Sequence, residues 1–167
     1  MQEPFLRGAF ERDRVVSNSI ALIRAARALG LPVVSTLQYP ERMGDMIPEI
    51  LEVLPEDDPR PGKTRFSSCG CGAFCDRLAE IGKDTVLICG VETHICVSQT
   101  AHDLLAGGYK VHVTADAVSS RAKSNWKIGL EKMRQSGVII TSVEMAIYEM
   151  LGDAKAPEFK EILGLVK

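Results

Sequence analysis

Apolar positions in this chain recur with two periods. From Arg12 to Leu29 they fall at helical spacing (Val15, Val16, Ile20, Leu22, Ile23, Ala26, Leu29), and Gly30 stands where a helix end takes a left-handed residue. Short apolar runs at Leu31-Pro-Val-Val-Ser-Thr36, Thr85-Val-Leu-Ile-Cys89, Tyr109-Lys-Val-His-Val-Thr114 and Val138-Ile-Ile-Thr141 predict buried strands. Helices are predicted between and after them, over 71–81, 93–106, 122–135, 143–150 and 156–164. Residues 38–62, with Pro40, Pro48, Pro55, Pro59 and Pro61, predict a long loop carrying one helical turn around Pro48–Val53. A connection of that length inside a compact domain usually carries function.

Alternation of strand, helix and strand predicts one α/β domain over residues 1–167, a doubly wound, mostly parallel sheet flanked by helices. Ligands of such sheets bind beyond the carboxyl ends of the strands. Leu37–Pro40 and Gly90–Cys96 both follow such ends, so both are expected on one face. The start is unusual. Met1–Phe5 reads as the tail of a strand that Pro4 interrupts, and the strand leading into the first helix is expected to be missing.

Composition narrows the function classes. The chain has 167 residues, 46% hydrophobic and 25% charged, as in an ordinary globular domain. A net charge of −2 offers no basic surface, so neither nucleic acid nor anionic membrane is expected as a partner. No apolar stretch is long enough to span a bilayer, and Met1–Arg7 lacks the order of a signal peptide. Five cysteines, with Cys89 and Cys96 in or beside a core strand, argue against a disulfide framework and for a reducing, cytoplasmic setting.

Cys96 is the candidate nucleophile. The run Gly90-Val-Glu-Thr-His-Ile-Cys96 turns from strand to helix and sets the thiol in the first helical turn, among unpaired backbone N–H groups that favour a thiolate. The competing reading is a small buried hydrophobe.

Five segments together resemble the isochorismatase-like cysteine hydrolase superfamily, and within it the isochorismatase domain-containing branch. They are Thr36-Leu-Gln-Tyr-Pro-Glu-Arg-Met-Gly44, Lys63-Thr-Arg-Phe-Ser-Ser68, Cys89-Gly-Val-Glu-Thr-His-Ile-Cys-Val97, Ala115-Asp-Ala-Val-Ser-Ser-Arg121 and Phe159-Lys-Glu-Ile162. The resemblance implies a Rossmann-like three-layer fold and a site of Asp, Lys and Cys. Cys96 would attack a carbonyl and hold it as a thioester, and Lys63 would stabilise the charge that develops. Val91–Glu92 would be a cis peptide, with the N–H groups of Glu92 and Cys96 forming an oxyanion hole. The aspartate would stand just before Met1, on the strand that the resemblance places mid-sheet. Glu3 would point the other way and is a poor substitute.

The resemblance also implies chemistry on a small molecule, no cofactor and a homo-oligomer. Having Cys96 rather than glycine, the chain looks like the amidase side of the superfamily. The stretch Leu37–Ile50 holds no His, so no metal is expected. Gln38, Tyr39 and Thr93 are candidate pocket residues. Lys63 could instead be an ordinary solvated loop lysine. His94 reads as structural or pocket wall, Asp116 to Arg121 as a capped and salt-bridged turn, and Trp126 as helix packing or a subunit contact. Cys69, Cys71 and Cys75 lack a fourth metal ligand and suggest a tight turn before a helix. Three functions follow: an amide-cleaving cysteine hydrolase, a non-catalytic relative acting through protein interaction, and a thiol-redox or metal protein using those three cysteines.

Overall fold

The structure is a computed structural model that describes residues 1–166. Helix α1 (Glu3–Leu6) is a single turn, and the long helix α2 (Arg12–Ala28) ends at Gly30 with φ 65°. Strand β1 (Leu37–Gln38), turns α3 (Pro40–Met43) and α4 (Pro48–Leu51), and strand β2 (Gly62–Lys63) follow. The order continues with α5 (Gly72–Ile81), β3 (Thr85–Val91), a π-helical turn (Thr93–Val97), α6 (Ser98–Ala106) and β4 (Lys110–Ser119). Helix α7 (Lys123–Gln135), β5 (Ile139–Thr141), α8 (Val143–Leu151) and α9 (Phe159–Leu165) complete it.

The layers follow from which faces are apolar. Strands β3, β4 and β5 form a parallel sheet in that order. On one face Val111, Val113 and Val118 meet Phe74 of α5, Val97, Leu104 of α6 and Met133 of α7. On the other, Ala117, Leu87 and Cys89 meet Leu22 and Ala25 of α2, Ile147 of α8 and Ile162 of α9. Side chains alternate across a strand, so β3 sends Val86 and Ile88 one way and Leu87 and Cys89 the other. The result is helices on both faces of a parallel sheet, the α/β architecture.

Four expectations are corrected. The run Leu31–Thr36 is extended but pairs with nothing, and only Leu37–Gln38 forms a ladder, parallel to Gly62–Lys63. The parallel strands therefore form two sheets, β1-β2 and β3-β4-β5, instead of one. The start is not a strand tail: Gln2 makes one antiparallel bridge with Met46, and Pro4 sits in the first turn of α1, where its missing N–H costs nothing. The loop 38–62 has two helical turns, each opened by a proline, where one was expected. The domain boundary drawn at residue 167 includes Lys167, which lies outside the described residues.

Candidate active site

Near its carboxyl end strand β3 shifts register between Ile88 and Gly90, where Gly90 adopts φ 121°, a conformation only glycine takes freely. The Val91–Glu92 peptide that follows is cis. The chain then winds through the π-helical turn that carries Cys96 before α6 begins at Ser98, so Cys96 precedes the first α-helical turn instead of lying in it. Gly129 of α7 backs this turn. A Cβ there would lie 3.1 Å from His94 Cα and 3.2 Å from His94 N, so any side chain at this position would make the turn give by a few tenths of an ångström.

Lys63 is 6% exposed, the opposite of a solvated loop lysine. Its Nζ donates to Gln38 Oε1 at 2.6 Å, to Phe66 O at 2.6 Å and to Arg65 O at 3.1 Å. These three charge-assisted bonds, each worth about 1.5–3 kcal/mol, offset a desolvation cost of several kcal/mol. All three acceptors are neutral, and among the described residues no carboxylate pairs with it. Burial pushes the Lys63 ammonium below its ordinary pKa, against the pull of the Cys96 thiolate.

Burial pushes the Cys96 thiol up. The Lys63 charge and hydrogen bonds from the backbone N–H groups of Glu92 and Cys96 pull it down, while the Glu92 carboxylate adds to the rise. Desolvation wins, so the backbone N–H groups that favour a thiolate at this turn are outweighed by burial. Lys63 and Cys96 nevertheless line the same cavity, and the lysine charge favours negative charge on the sulfur.

Lys63, Cys96, Glu92 and Gln38 line one cavity of about 730 Å³, with Thr36, Ser68 and Thr100 as further polar walls. Tyr39 and Thr93 do not line it. Tyr39 caps α3 in a left-handed conformation with Arg42 over its ring, and Thr93 is fully buried against α7 with its hydroxyl unpartnered. His94 is held by Ser120 Oγ at 2.9 Å and Asn125 Nδ2 at 3.3 Å, away from the cavity wall. Asp116 Oδ1 accepts from Val143 N at 2.9 Å and caps α8. Trp126 donates to Ala115 O at 3.1 Å and tilts against Phe10. The cysteine run forms a 3₁₀ turn (Ser68–Gly70) leading into α5, with Ser67 Oγ accepting from Cys69 N. Among the described residues no group of three or more His, Cys, Asp or Glu could hold a metal.

Two further residues support the site: Arg121, in the turn read from sequence as salt-bridged, and Gln2, which sequence reasoning missed. Arg121 donates from its backbone N and its Nε to Glu92 Oε1, at 3.0 and 2.9 Å, and fixes the residue between β3 and the nucleophile turn. Gln2, 3% exposed, donates to Gln38 O at 3.0 Å and Gly44 O at 2.7 Å and accepts from Gln38 N at 2.8 Å. It thereby holds the residue that holds Lys63. A glutamine between Met1 and Glu3 carries no local pattern that reveals this.

The geometry can be set beside known proteins. A family model described as the isochorismatase domain matches residues 1–145. The chain belongs to the isochorismatase family. Isochorismatase domain-containing protein 2 of Danio rerio is 38% identical over 99% of this chain and 83% of its own length. The secreted isochorismatase effector Isc1 of Phytophthora sojae is 42% identical over the whole chain and 81% of its own length. The structure of the MAR1 ribonuclease from Caenorhabditis elegans superposes with a TM-score of 0.94 at 38% identity, over 99% of this chain and 84% of that one. The branch is that of the isochorismatase domain-containing proteins, and at family level the chain is an isochorismatase-like hydrolase. Among the described residues no helix is long and apolar enough to cross a membrane.

Proposed function

We propose that this isochorismatase-family protein is a cysteine hydrolase that cleaves an amide-like C–N bond of a small molecule through a Cys96 thioester. One observation carries the reading: a buried lysine ammonium whose hydrogen-bond acceptors are all neutral shares a cavity with the Cys96 thiol. Cys96 Sγ bonds to the carbonyl carbon, and the Glu92 and Cys96 amides take the developing oxyanion. The C–N bond breaks, the thiol proton ends on the leaving nitrogen, and water cleaves the S–C bond to return acid and thiol. Lys63 stabilises the anionic sulfur before attack and after release. The domain extends over residues 1–167 and carries no cofactor in this scheme.

Net charge alone does not decide partners, because it averages a whole surface. The ribonuclease name of the Caenorhabditis elegans neighbour keeps nucleic acid in the screen, although a thiol and a lysine suit a carbonyl better than a phosphodiester. Five free thiols suit a reducing cytoplasm, and exposed Ile128, Ile139 and Met145 suit association of copies. The deciding experiment incubates wild type and Cys96→Ala with a panel of small amides and reads intact mass. An acyl adduct on wild type alone, with product release, supports the scheme. Neither adduct nor turnover across the panel, with the fold intact, favours the non-catalytic alternative.

A further inference from the structure

Cys69, Cys71 and Cys75 take no part in the site described above, and all three are free thiols. Their sulfurs have different neighbours. Cys71 Sγ approaches Gly62 O of β2 at 3.9 Å. Cys75 sits in the first turn of α5, where its backbone N–H donates to Cys71 O at 3.2 Å. Its thiol donates to Cys69 O at 3.4 Å. That contact puts Cys75 Sγ within about 6 Å of Cys69 Cα, a gap of the size a disulfide bridges. Cys75 is exposed, whereas Cys69 is half-buried and packs against the core under α5. Burial pushes the Cys69 thiol up, and the charge of a Cys75 thiolate and a contact between the two side chains add to the rise.

The turn that carries Cys69 is built against the residues that hold Lys63. A Cβ on Gly70 would lie 2.5 Å from Arg65 Cδ and 2.8 Å from Arg65 Cβ, so the turn rests directly on Arg65. The carbonyls of Arg65 and Phe66 are two of the three acceptors of the Lys63 ammonium. Ser67 Oγ accepts from Cys69 N at 3.2 Å, and Ser68 N donates to Thr100 Oγ1 at 2.9 Å. From Arg65 to Cys69 the chain is therefore tied at nearly every residue. A displacement of Cys69 reaches the two carbonyls with little slack to absorb it.

We propose that Cys69 and Cys75 form an oxidation site, a dithiol that hydrogen peroxide closes to a disulfide and that in closing moves the carbonyls holding Lys63. The exposed Cys75 gives up its thiol proton, and its sulfur attacks one peroxide oxygen. The S–O bond forms, the O–O bond breaks, and the hydroxide that leaves takes up a proton to become water. Cys69 sulfur then attacks the Cys75 sulfenic sulfur; the S–S bond forms and the hydroxyl leaves as water with the Cys69 proton. Two thiols lose two electrons, and one peroxide becomes two waters. A thiol reductant restores both. In the closed form Cys69 is drawn to α5, Arg65 and Phe66 shift with it, and Lys63 loses the placement that favours charge on Cys96. The disulfide itself does not depend on the hydrolase reading.

The test treats the full chain with one equivalent of hydrogen peroxide and reads the tryptic peptide Phe66–Arg77, which holds all three cysteines, by mass without reductant. The expected result is a loss of about 2 Da in wild type and in Cys71→Ser, reversed by dithiothreitol, and none in Cys69→Ser or Cys75→Ser. Oxygen added to Cys75 without that loss overturns the proposal. So does the same loss in Cys69→Ser, which assigns the bond to Cys71 and Cys75. Iodoacetamide labelling at pH 8, read on the Cys96 peptide, reports the link to Lys63. It should slow about threefold in oxidised wild type, recover after reduction, and stay unchanged in peroxide-treated Cys69→Ser. Equal slowing in Cys69→Ser places the oxidation on Cys96 itself and overturns the link, as does unchanged labelling in oxidised wild type. Neither readout requires amide turnover, so each outcome stands apart from the hydrolase reading.

Discussion

Cys89 and Cys96 stand seven residues apart on one strand-turn-helix segment, line the same cavity, and are both pushed up in pKa by burial. What faces each sulfur differs. Cys89 has the Ser19 hydroxyl and the Met1 ammonium beside it, whereas Cys96 has the Lys63 ammonium brought from another element and the backbone of Glu92. Burial disfavours the thiolate at both positions, and at Cys96 the Lys63 charge offsets part of that cost. The comparison teaches that local position is a weaker determinant than the charge brought across from another element.

The sharpest break of that comparison is Cys96→Ala. It should abolish amide turnover and acyl adducts, a loss of at least 10³-fold, while Cys89→Ala should leave turnover within about threefold. Mass-resolved kinetics on the same panel decides it. Retained turnover in Cys96→Ala would move the chemistry elsewhere. Lys63→Met comes next: removing the cation should slow iodoacetamide labelling of Cys96 at pH 8 by roughly 10- to 100-fold and bring it to the level of Cys89. Equal labelling in variant and wild type would show that Lys63 does nothing for the sulfur.

Gln2→Leu should act in the same direction but less, through a loosened Gln38, slowing Cys96 labelling about threefold to tenfold. It should also destabilise the fold by about 1–3 kcal/mol, because buried Gln38 groups lose their partner. Urea denaturation measures the second part, and the pH profile of labelling measures the first. The smallest effect is on pH-dependent stability. Burial lowers the Lys63 pKa in the folded chain, so the unfolded chain binds more protons between that value and 10.5, and Lys63 makes stability rise with pH in that window. Cys96, raised from 9.0, opposes it by making stability fall above that value. A Cys96→Ala background should therefore show the rise alone, and adding Lys63→Met should flatten it. A rise that persists in the double variant assigns it to another group.

Periodicity was enough to read α2, α5 and α7 within a residue or two and β3 to β5 as parallel, because each buries one face or both and must repeat apolar residues accordingly. Cys96 was legible for a similar local reason, since a strand-to-helix turn is written in a few consecutive residues. The resemblance named Lys63 with it, and nothing in the local pattern around Lys63 predicts that it is buried. Leu31–Thr36 has the composition of a strand, yet a strand exists only where a neighbour accepts its hydrogen bonds, and composition does not say who the neighbour is.

The same limit separates the remaining parts. Element types, the α/β class and the candidate nucleophile are properties of short windows of chain. The bond from Lys63 to Gln38 and the Gln2 clamp on Gln38 are agreements among residues 25 and 36 positions apart, and the burial of Lys63 and the split of the parallel strands into two sheets likewise need the folded chain. Electrostatic stabilisation and hydrogen-bond satisfaction depend on distance in space and on exclusion of water. Only the folded arrangement sets those, and here it brought Lys63 to the cavity that holds Cys96.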